Sequence, residues 1–427
     1  MNQIEITPLS RPLDATVSVP GSKSITNRAM LLAAMAQGRS VIDAALMSDD
    51  TRYMTGALRA LGFIVESDEA ACRITVGGRG GIIPHHGAEI FVGGAGTVMR
   101  FLAAMLTLGQ GRFRIDGNQR MRQRPIGPLL DAMQRLGASI YSERDNNCPP
   151  VIVDMSRGRF EGGETSIDAR VSSQFVSAML MPAPIWKSGL RLRVIGETAR
   201  PFIDMTLRLM EAWGVHGSRD GDLIVVPGGQ WYRAQRFAVE PDASSASYFA
   251  AAAALIGGTV RIKGLTSHSV QGDLEFLGVL QRMGARVAWH PDFVEVIGTG
   301  QFAGVDVAMN SMPDMVPTLA AIAPFASSPT IIRNVAFIRH HESDRIRVLA
   351  TELRRLGASV IDKEDGLEIQ PSTMHPATIE TYDDHRIAMS FAIAGLKLRG
   401  VTINDPGCVA KTFPDFFERL AMLEPAA

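Results

Sequence analysis

Two kinds of apolar segment alternate along the chain. The first kind is an alanine-rich run followed by glycine or serine and then by a short run of β-branched residues. Alanine-rich runs of this length predict buried helices, the glycines after them predict left-handed C-caps, and the β-branched runs predict strands. The six helices predicted in this way are 30–37, 99–108, 175–186, 246–256, 318–326 and 388–398.

The second kind of segment is an amphipathic helix that ends in glycine and is followed by a strand, a polar turn and another strand. Its five clearest copies end at Gly62, Gly137, Gly214, Gly284 and Gly357. A recurrence of roughly 75 residues indicates an internal repeat, here with six units of alternating helix and strand. Such alternation predicts an α/β protein with sheets covered by helices. We expect two domains of three units each, joined near Pro241, with a solenoid as the less favoured alternative because the period is long.

Composition limits what the chain binds. The 427 residues are 46% hydrophobic and 20% charged, with a formal net charge of −1. A nearly neutral chain is a poor partner for nucleic acid or an anionic membrane, so an anion site must be a local cluster. Cys72, Cys148 and Cys408 are widely spaced, which fits a reducing cytoplasm and neither a disulfide frame nor a zinc site. The start of the sequence has no signal-peptide pattern, and the most apolar run is too short to span a bilayer.

The segment 20–28 combines a turn, two cations and the start of a helix. Pro20 and Gly21 predict the turn, and Ser22 or Ser24 is suited to cap the following helix. Free N–H groups and the positive end of that helix favour an anion there, and Lys23 adds a full charge. The segment is not a P-loop, because Ser22 occupies the position of a required glycine. A solvated helix start is the alternative interpretation.

Polar groups recur at the starts of other predicted helices. These segments are 93–100, 120–126, 172–174, 340–345 and 381–386, together with Asp314. If the repeats are related by pseudo-symmetry, the helix N-termini converge and bind a multiply anionic ligand. Asp314 and Glu342 are acids among these bases, so each is a candidate general acid or base, with ionic scaffolding as the alternative. The absence of Gly-x-Ser-x-Gly argues against a serine hydrolase, and the His, Asp and Glu spacing matches no metal motif.

Motifs over nearly the whole chain resemble the EPSP synthase (3-phosphoshikimate 1-carboxyvinyltransferase) family. They lie at 20–28, 96–100, 120–126, 171–175, 242–249, 271–273, 342–345, 384–386 and 411–414. The resemblance implies a two-domain inside-out α/β barrel with its active site in the interdomain cleft. The expected domains are residues 1–20 plus 241–427, and residues 21–240. It also implies a monomeric cytoplasmic enzyme of the shikimate pathway, which leads to chorismate and the aromatic amino acids, with no metal or organic cofactor.

The implied reaction transfers the enolpyruvyl group of phosphoenolpyruvate to the 5-hydroxyl of shikimate-3-phosphate, with release of phosphate, by addition and elimination. By motif position, the residues expected to bind phosphoenolpyruvate are Lys23, Gly96, Arg124, Gln174, Arg345, Arg386 and Lys411. Those expected to bind shikimate-3-phosphate are Ser24, Arg28, Ser172, Ser173, Gln174, Arg200, Asp314 and His341. The expected catalytic residues are Lys23, Asp314, Glu342 and His385. Asp314 takes the proton of the 5-hydroxyl, and Glu342 with Lys23 handles the proton at C3 of the enolpyruvyl group.

Several positions differ from the family pattern. His341 replaces a lysine, and Arg200 is expected to substitute for the phosphate ligands that Ala199 and Phe202 cannot supply. Gly94 and Phe101 replace an asparagine and a proline around the phosphoenolpyruvate pocket, where glyphosate binds in the family. Although Gly96 favours binding of this inhibitor, Phe101 is bulkier and lacks the constraint of proline. We therefore expect a glyphosate target with reduced sensitivity.

Three alternatives use the same scaffold. The sister transferase that acts on UDP-N-acetylglucosamine has Lys-Asn near its start and a reactive loop cysteine. Here Ser24 follows Lys23, and no cysteine lies between Cys72 and Cys148. A relative of RNA 3′-phosphate cyclase would have a more basic surface. A non-catalytic anion-binding protein would not need Lys23, Asp314, Glu342 and Lys411 together. A measurement of substrate turnover distinguishes such a protein from an enzyme.

Overall fold

The structure is a computed structural model that describes residues 2–196 and 199–423. The chain divides into two compact units. The central unit is Gly21–Val239, and the terminal unit combines Met1–Pro20 with Glu240–Ala427. Each unit contains both helices and strands.

The described strands and helices alternate through the chain. The strands are β1 (Gln3–Glu5), β2 (Leu13–Val17), β3 (Gln37–Asp43), β4 (Ile64–Asp68), β5 (Arg73–Arg79), β6 (Gly87–Phe91), β7 (Arg112–Asp116), β8 (Ile140–Ser142), β9 (Val151–Asp154), β10 (Gly163–Asp168), β11 (Leu190–Ile195), β12 (Ser218–Asp220), β13 (Leu223–Val226), β14 (Arg236–Ala238), β15 (Gly258–Lys263), β16 (Arg286–Trp289), β17 (Phe293–Gly298), β18 (Asp306–Ala308), β19 (Thr330–Arg333), β20 (Val360–Lys363), β21 (Gly366–Ile369), β22 (Ala377–Ile379) and β23 (Val401–Asn404). The helices are α1 (Lys23–Met35), α2 (Asp49–Ala60), α3 (Gly96–Met105), α4 (Gly127–Arg135), α5 (Gln174–Leu180), α6 (Arg200–Ala212), α7 (Ala243–Ile256), α8 (Glu275–Met283), α9 (Val316–Ile322), α10 (Arg345–Arg355), α11 (His385–Gly395) and α12 (Phe416–Ala421).

One sheet topology recurs throughout the described chain. The central unit has the sheets β14-β3-β5-β4, β6-β7-β9-β8 and β10-β11-β13-β12, and the terminal unit has β2-β15-β17-β16, β18-β19-β21-β20 and β1-β23-β22. In each four-stranded sheet the first two strands are parallel and the others are antiparallel. The three-stranded sheet keeps the parallel pair, and β1 occupies the antiparallel position beside β23. Each four-stranded sheet therefore combines a parallel strand pair with a β-hairpin.

The two kinds of apolar segment correspond to two kinds of helix. The alanine-rich helices are buried almost all round, as in α11, whose residues are all buried, and α7, where only Ile256 is partly exposed. The amphipathic helices α2, α4, α6, α8 and α10 bury one face. The predicted α/β alternation is confirmed, because a helix that is apolar all round must be enclosed within a core. Among the described residues, no helix is long and apolar enough to cross a bilayer.

The predicted glycine C-caps after the alanine-rich helices are only partly correct. Gly38 lies inside β3, because α1 ends at Met35 and Ala36 is already extended. Gly109 has a φ of −81° and an extended backbone. The glycines after the amphipathic helices do have positive φ angles: Gly62, Gly137, Gly214, Gly284 and Gly357.

One predicted helix end is wrong near a proline, and other prolines lie at the start of α4. The helix predicted for 175–186 ends at Leu180, and a short 3-10 turn over Ala183–Ile185 follows Pro182. Pro125 is not in the first turn of α4, which begins at Gly127 with Pro128 as its second residue. Arg124 is extended, as expected for a residue that precedes proline. The prolines end or delay these helices because they lack an N–H and restrict the preceding residue.

Candidate functional site

The terminal unit holds a buried network of charges at the starts of α10 and α11. Arg345 is 1% exposed and lies at the centre of this network. Its guanidinium donates to Asp314 at 2.9 Å, to Glu342 at 3.0 Å and to Asp384 at 2.9 and 3.2 Å. Arg386 donates to the second oxygen of Asp314 at 2.7 Å. Asp314 therefore lies between two guanidinium groups.

Electrostatic attraction keeps both arginines charged despite their burial. Burial alone would lower the pKa of Arg345, but the carboxylates of Asp384, Glu342 and Asp314 outweigh it and raise the pKa above its usual value. Arg386 is similar: burial opposes the charge, and the nearby Asp314 carboxylate contributes to a raised pKa. Both guanidinium groups are therefore permanent cations that a carboxylate or phosphate can bind.

Asp384 joins the two helices of this network. It is the N-cap of α11 and accepts from the backbone N–H of Arg386 at 3.1 Å. It also accepts from the Ser343 hydroxyl at 2.9 Å, in addition to its bonds with Arg345. Asp384 is not among the site residues predicted from the sequence, although it belongs to the 384–386 motif. Its position before a predicted helix, two residues ahead of Arg386, was the available signal.

Glu342, Lys411 and His341 lie at the edge of the network. The Lys411 ammonium is 3.4 Å from Glu342, so Glu342 contacts one cation through each oxygen. The Nδ1 atom of His341 is 3.1 Å from the Arg345 guanidinium. Because a guanidinium only donates, Nδ1 must accept, which requires the tautomer of the neutral ring that carries its proton on Nε2. His385 is fully buried, with Nδ1 3.9 Å from Asp384.

A second buried carboxyl lies next to Asp314. Asp273 comes from the 271–273 motif and accepts a hydrogen bond from the Ser244 hydroxyl at the start of α7. Burial, followed by the neighbouring charge of Asp314, raises the pKa of Asp273 to about 7. The 271–273 motif predicts no role for Asp273, because only the fold places this residue near Asp314.

The central unit carries Lys23, Ser24 and Arg28 on α1. The helix begins at Lys23, earlier than the apolar run indicates, and Ser22 occupies the N-cap position. The Lys23 ammonium is 3.7 Å from Asp50, a buried carboxyl that sequence analysis missed. Arg28 is buried and donates to Thr206 at 2.8 Å, Ser177 at 3.1 Å and backbone oxygens of Ser24 and Phe202. Burial lowers the pKa of Arg28 to about 9, so the group is still a cation at neutral pH.

Gly96 lets two arginines approach the start of α3. A Cβ atom at Gly96 would lie 2.4 Å from Nη1 of Arg100 and 2.7 Å from Nη1 of Arg124. Both arginines are at least nine-tenths buried. Arg100 also lies over the ring of Phe175, with 5.6 Å between the guanidinium carbon and the ring centroid. A glycine is required here because the first turn of the helix and both guanidinium groups share one space.

The remaining predicted ligands lie at the starts of α5 and α6. Ser173 is the N-cap of α5, and the Ser172 hydroxyl accepts from the backbone N–H of Gln174 at 3.2 Å. The side-chain oxygen of Gln174 is buried and makes no hydrogen bond with any described residue. Arg200 begins α6 and is exposed, 3.5 Å from Asp204. Arg200 is therefore held less rigidly than the buried arginines of the same unit.

These side chains suit anion binding and proton transfer. Both units place arginine and lysine side chains at helix N-termini, where the helix dipole adds to their charge. Asp314 and Glu342 each lie within hydrogen-bond or ion-pair distance of two cations, which orient their carboxyl oxygens. Among residues 2–196 and 199–423, no group of three or more His, Cys, Asp or Glu side chains is arranged to hold a metal ion.

Comparisons with known proteins agree on one family. The profile of EPSP synthase (3-phosphoshikimate 1-carboxyvinyltransferase) matches residues 8–420. A 3-phosphoshikimate 1-carboxyvinyltransferase of Nostoc punctiforme is 49% identical over 99% of this chain and 100% of its own length. One of Yersinia pseudotuberculosis is 46% identical over 97% of each chain.

Solved structures share the fold. An EPSP synthase from Acinetobacter baumannii superimposes with a TM-score of 0.81 and 26% identity, covering 99% of this chain and 98% of that one. The enolpyruvyl transferase NikO from Streptomyces tendae has a TM-score of 0.73, 20% identity and coverage of 99% and 96%. Because NikO is only 20% identical, its likeness concerns the fold alone.

Proposed function

The chain belongs to the EPSP synthase family, and we propose how its residues carry out the family's reaction. The enzyme transfers the enolpyruvyl group of phosphoenolpyruvate to the 5-hydroxyl of shikimate-3-phosphate and releases phosphate. The predicted family and reaction are thereby confirmed, and transfer to a UDP-sugar is no longer needed as an alternative. The observation that carries the residue assignment is the network in which Arg345 and Arg386 hold Asp314, with Glu342 between Arg345 and Lys411.

Phosphoenolpyruvate presents a carboxylate and a phosphate to the arginine and lysine residues. We assign these groups to Lys23, Arg124, Arg345, Arg386 and Lys411, with backbone approach at Gly96. Arginine suits this role because its planar fork donates two parallel hydrogen bonds to a carboxylate or phosphate. The close packing of Arg100 and Arg124 on Gly96 supports the assignment, since a larger residue would displace both guanidinium groups.

Shikimate-3-phosphate requires a second phosphate site and donors for its hydroxyls. We assign it to Ser24, Arg28, Ser172, Ser173, Gln174, Arg200, Asp314 and His341. Arg28 supports this role because it is a buried cation that donates to neutral oxygens of Thr206, Ser177, Ser24 and Phe202. The buried side-chain oxygen of Gln174 supports a donor from a ligand at that position.

Proton transfer uses the two acids of the network. In the addition step the 5-hydroxyl oxygen attacks C2 of the enolpyruvyl group, Asp314 accepts the hydroxyl proton, and Glu342 with Lys23 protonates C3. In the elimination step Glu342 with Lys23 takes a proton back from C3 as phosphate leaves C2, which restores the double bond, and the proton on Asp314 passes to the departing phosphate. Asp314 accepts two guanidinium hydrogen bonds, which hold it in one orientation for this transfer. His385 is proposed as a further catalytic residue beside Asp384.

Phosphate release tests the reaction and the role of Lys23. Purified enzyme with phosphoenolpyruvate and shikimate-3-phosphate, without added metal, is expected to release phosphate only when both substrates are present. Lys23→Met removes a charge that contacts Asp50, and we expect kcat/KM to fall about 100-fold or more. Lys187→Met, which removes an exposed ammonium of the same unit, is the control and should retain full activity. Release without shikimate-3-phosphate, or an active Lys23→Met enzyme, would contradict the proposal.

We also propose that glyphosate competes for the phosphoenolpyruvate site, with weaker inhibition than in sensitive family members. Phe101 supports this proposal because it lies in α3, the helix that begins at Gly96. Its ring packs against the guanidinium of Arg28, with 5.0 Å between the guanidinium carbon and the ring centroid. A monomeric state and a cytoplasmic location stay predictions.

A further inference from the structure

The loop before α11 has an unusual backbone. Tyr382 and Asp383 have φ angles of +56° and +55°. Two consecutive left-handed residues that are not glycine are strained, and a bulky residue such as tyrosine is rarely found in this conformation. Such a conformation persists only where surrounding contacts impose it. The loop leads directly into Asp384, His385 and Arg386, so its conformation sets the position of all three.

One buried carboxylate makes two hydrogen bonds to this loop. Glu352 is fully buried on α10. It accepts from the backbone N–H of Glu380 at 3.1 Å and from the Tyr382 hydroxyl at 2.8 Å. Arg355 balances its charge, with Nε 2.9 Å from the carboxylate. Burial and the hydrogen bond to Glu352 raise the pKa of the Tyr382 phenol, so the hydroxyl keeps the proton that it donates.

Helix α10 contacts the segment 380–384 at two positions. Arg345, its first residue, contacts Asp384, and Glu352 contacts Glu380 and Tyr382. Seven residues separate Arg345 from Glu352, which is two helical turns and about 10 Å, so both side chains lie on one face. A rigid helix that contacts a loop at two points about 10 Å apart fixes both its position and its orientation.

From this geometry we infer that Glu352 is a positioning residue for the phosphoenolpyruvate site, acting through Tyr382 on Asp384 and Arg386. The inference rests on the proposed assignment of Arg345 and Arg386 to that substrate. Glu352 touches no reacting atom in this account. Its contacts hold the strained loop in the conformation that places the N-terminus of α11 beside Arg345 and Asp314.

Steady-state kinetics of Tyr382→Phe and Glu352→Gln test the inference. Tyr382→Phe removes one hydroxyl from a partly exposed side chain, so we expect it to fold. We expect the KM for phosphoenolpyruvate to rise about fivefold to tenfold, the effect of one neutral hydrogen bond, while kcat and the KM for shikimate-3-phosphate change less than twofold. In the double variant the two effects should combine less than additively, because both variants break the same contact.

Matched variants separate positioning from stability. Tyr141→Phe removes an exposed hydroxyl elsewhere, and Glu368→Gln changes a paired carboxylate of the same unit that contacts Lys363. Both should leave the KM values unchanged. Tyr382→Phe and Glu352→Gln could lower thermal stability or the yield of active enzyme while leaving both KM values unchanged. That result would show that Glu352 has only a structural role, and it would overturn the inference.

Arg386→Lys distinguishes failure of this inference from failure of the proposed function. If Arg386→Lys raises the KM for phosphoenolpyruvate but the Glu352 and Tyr382 variants do not, only the positioning role is overturned. If Arg386→Lys leaves that KM unchanged, the assignment of ligands is overturned and the inference falls with it.

Discussion

At the scale of single residues, the site depends on close contacts, in which one residue leaves room for a neighbouring side chain or balances its charge. Gly96 has no side chain because Arg100 and Arg124 occupy the space where a Cβ would lie. Asp314 accepts from Arg345 and Arg386, so its two oxygens are already oriented by hydrogen bonds. Orientation by buried partners lowers the cost of organising a site when the substrates bind.

Gly96→Ala is expected to raise the KM for phosphoenolpyruvate about tenfold or more, with a smaller change in kcat. The added methyl would lie within 3 Å of both guanidinium groups, and neither can move freely because both are buried. Gly56→Ala in α2 is the matched control, because a Cβ at that position meets nothing within 4 Å. Steady-state kinetics with each substrate varied in turn measure the effect. Equal KM values for Gly96→Ala and the wild type would show that Arg124 and the backbone at Gly96 do not bind this substrate.

At the scale of elements, each buried helix delivers polar residues through its first turn. Helix α11 begins with His385 and Arg386 after the Asp384 cap, and α1 begins with Lys23 and Ser24. The rest of each helix is buried, so the first turn cannot move without repacking a core. Helix α3 follows the same principle, since Gly96 is its first residue and Phe101 packs against Arg28 one turn later.

Glyphosate inhibition tests the role of Phe101 in α3. Measured beside a glyphosate-sensitive family member, this enzyme is expected to show a higher ratio of inhibition constant to phosphoenolpyruvate KM. Phe101→Leu removes the ring over Arg28 and should lower that ratio about threefold to tenfold, the size of a buried cation–π contact. Phe91→Leu, a change in an exposed ring, is the control. A wild-type inhibition constant as low as that of the sensitive enzyme would remove the proposal.

At the scale of the whole molecule, many charges are buried in a chain that is nearly neutral. The formal net charge is −1, yet Arg28, Arg345, Arg386 and Asp384 are all at least nine-tenths buried. Burying charges is costly unless they are paired or hydrogen-bonded, so the fold supports these groups at the expense of stability. The raised pKa of Asp273 is consistent with this cost, because burial disfavours its ionised form.

Asp273 is expected to make stability depend on pH. Its pKa is about 7 in the folded enzyme and 3.8 as a reference carboxyl, so the folded state binds the extra proton between these values. The free energy of unfolding therefore falls as pH rises from about 4 to about 7. Asp273→Asn should remove roughly 2–4 kcal/mol of this fall, one pKa unit being worth about 1.4 kcal/mol.

The free energy of unfolding, measured by denaturant titration from pH 4 to pH 8, gives the comparison for Asp273→Asn. Asp131→Asn, a change in an exposed carboxyl, serves as the control. Parallel pH profiles for Asp273→Asn and the wild type would show that Asp273 ionises as freely as an exposed group.

The amino-acid sequence by itself determined the repeat, the helix types and the family. Apolar periodicity is a local property, so the alternation of enclosed and amphipathic helices could be predicted without a structure. The family motifs identified the reaction and named most of the charged residues near Arg345. Errors arose where local signals compete, as at Gly38, where a strand follows the helix at once, and at Pro182, which ends a helix early.

Only the tertiary structure decided which charges are partners. Asp50, Asp273, Glu352 and Asp384 are ordinary acids in the sequence, and their roles come from groups far along the chain. Glu352 contacts residues 380–382, and Asp273 lies near Asp314. The physical reason is that burial and the distance to other charges set the energy of a charged group, and both are created by folding.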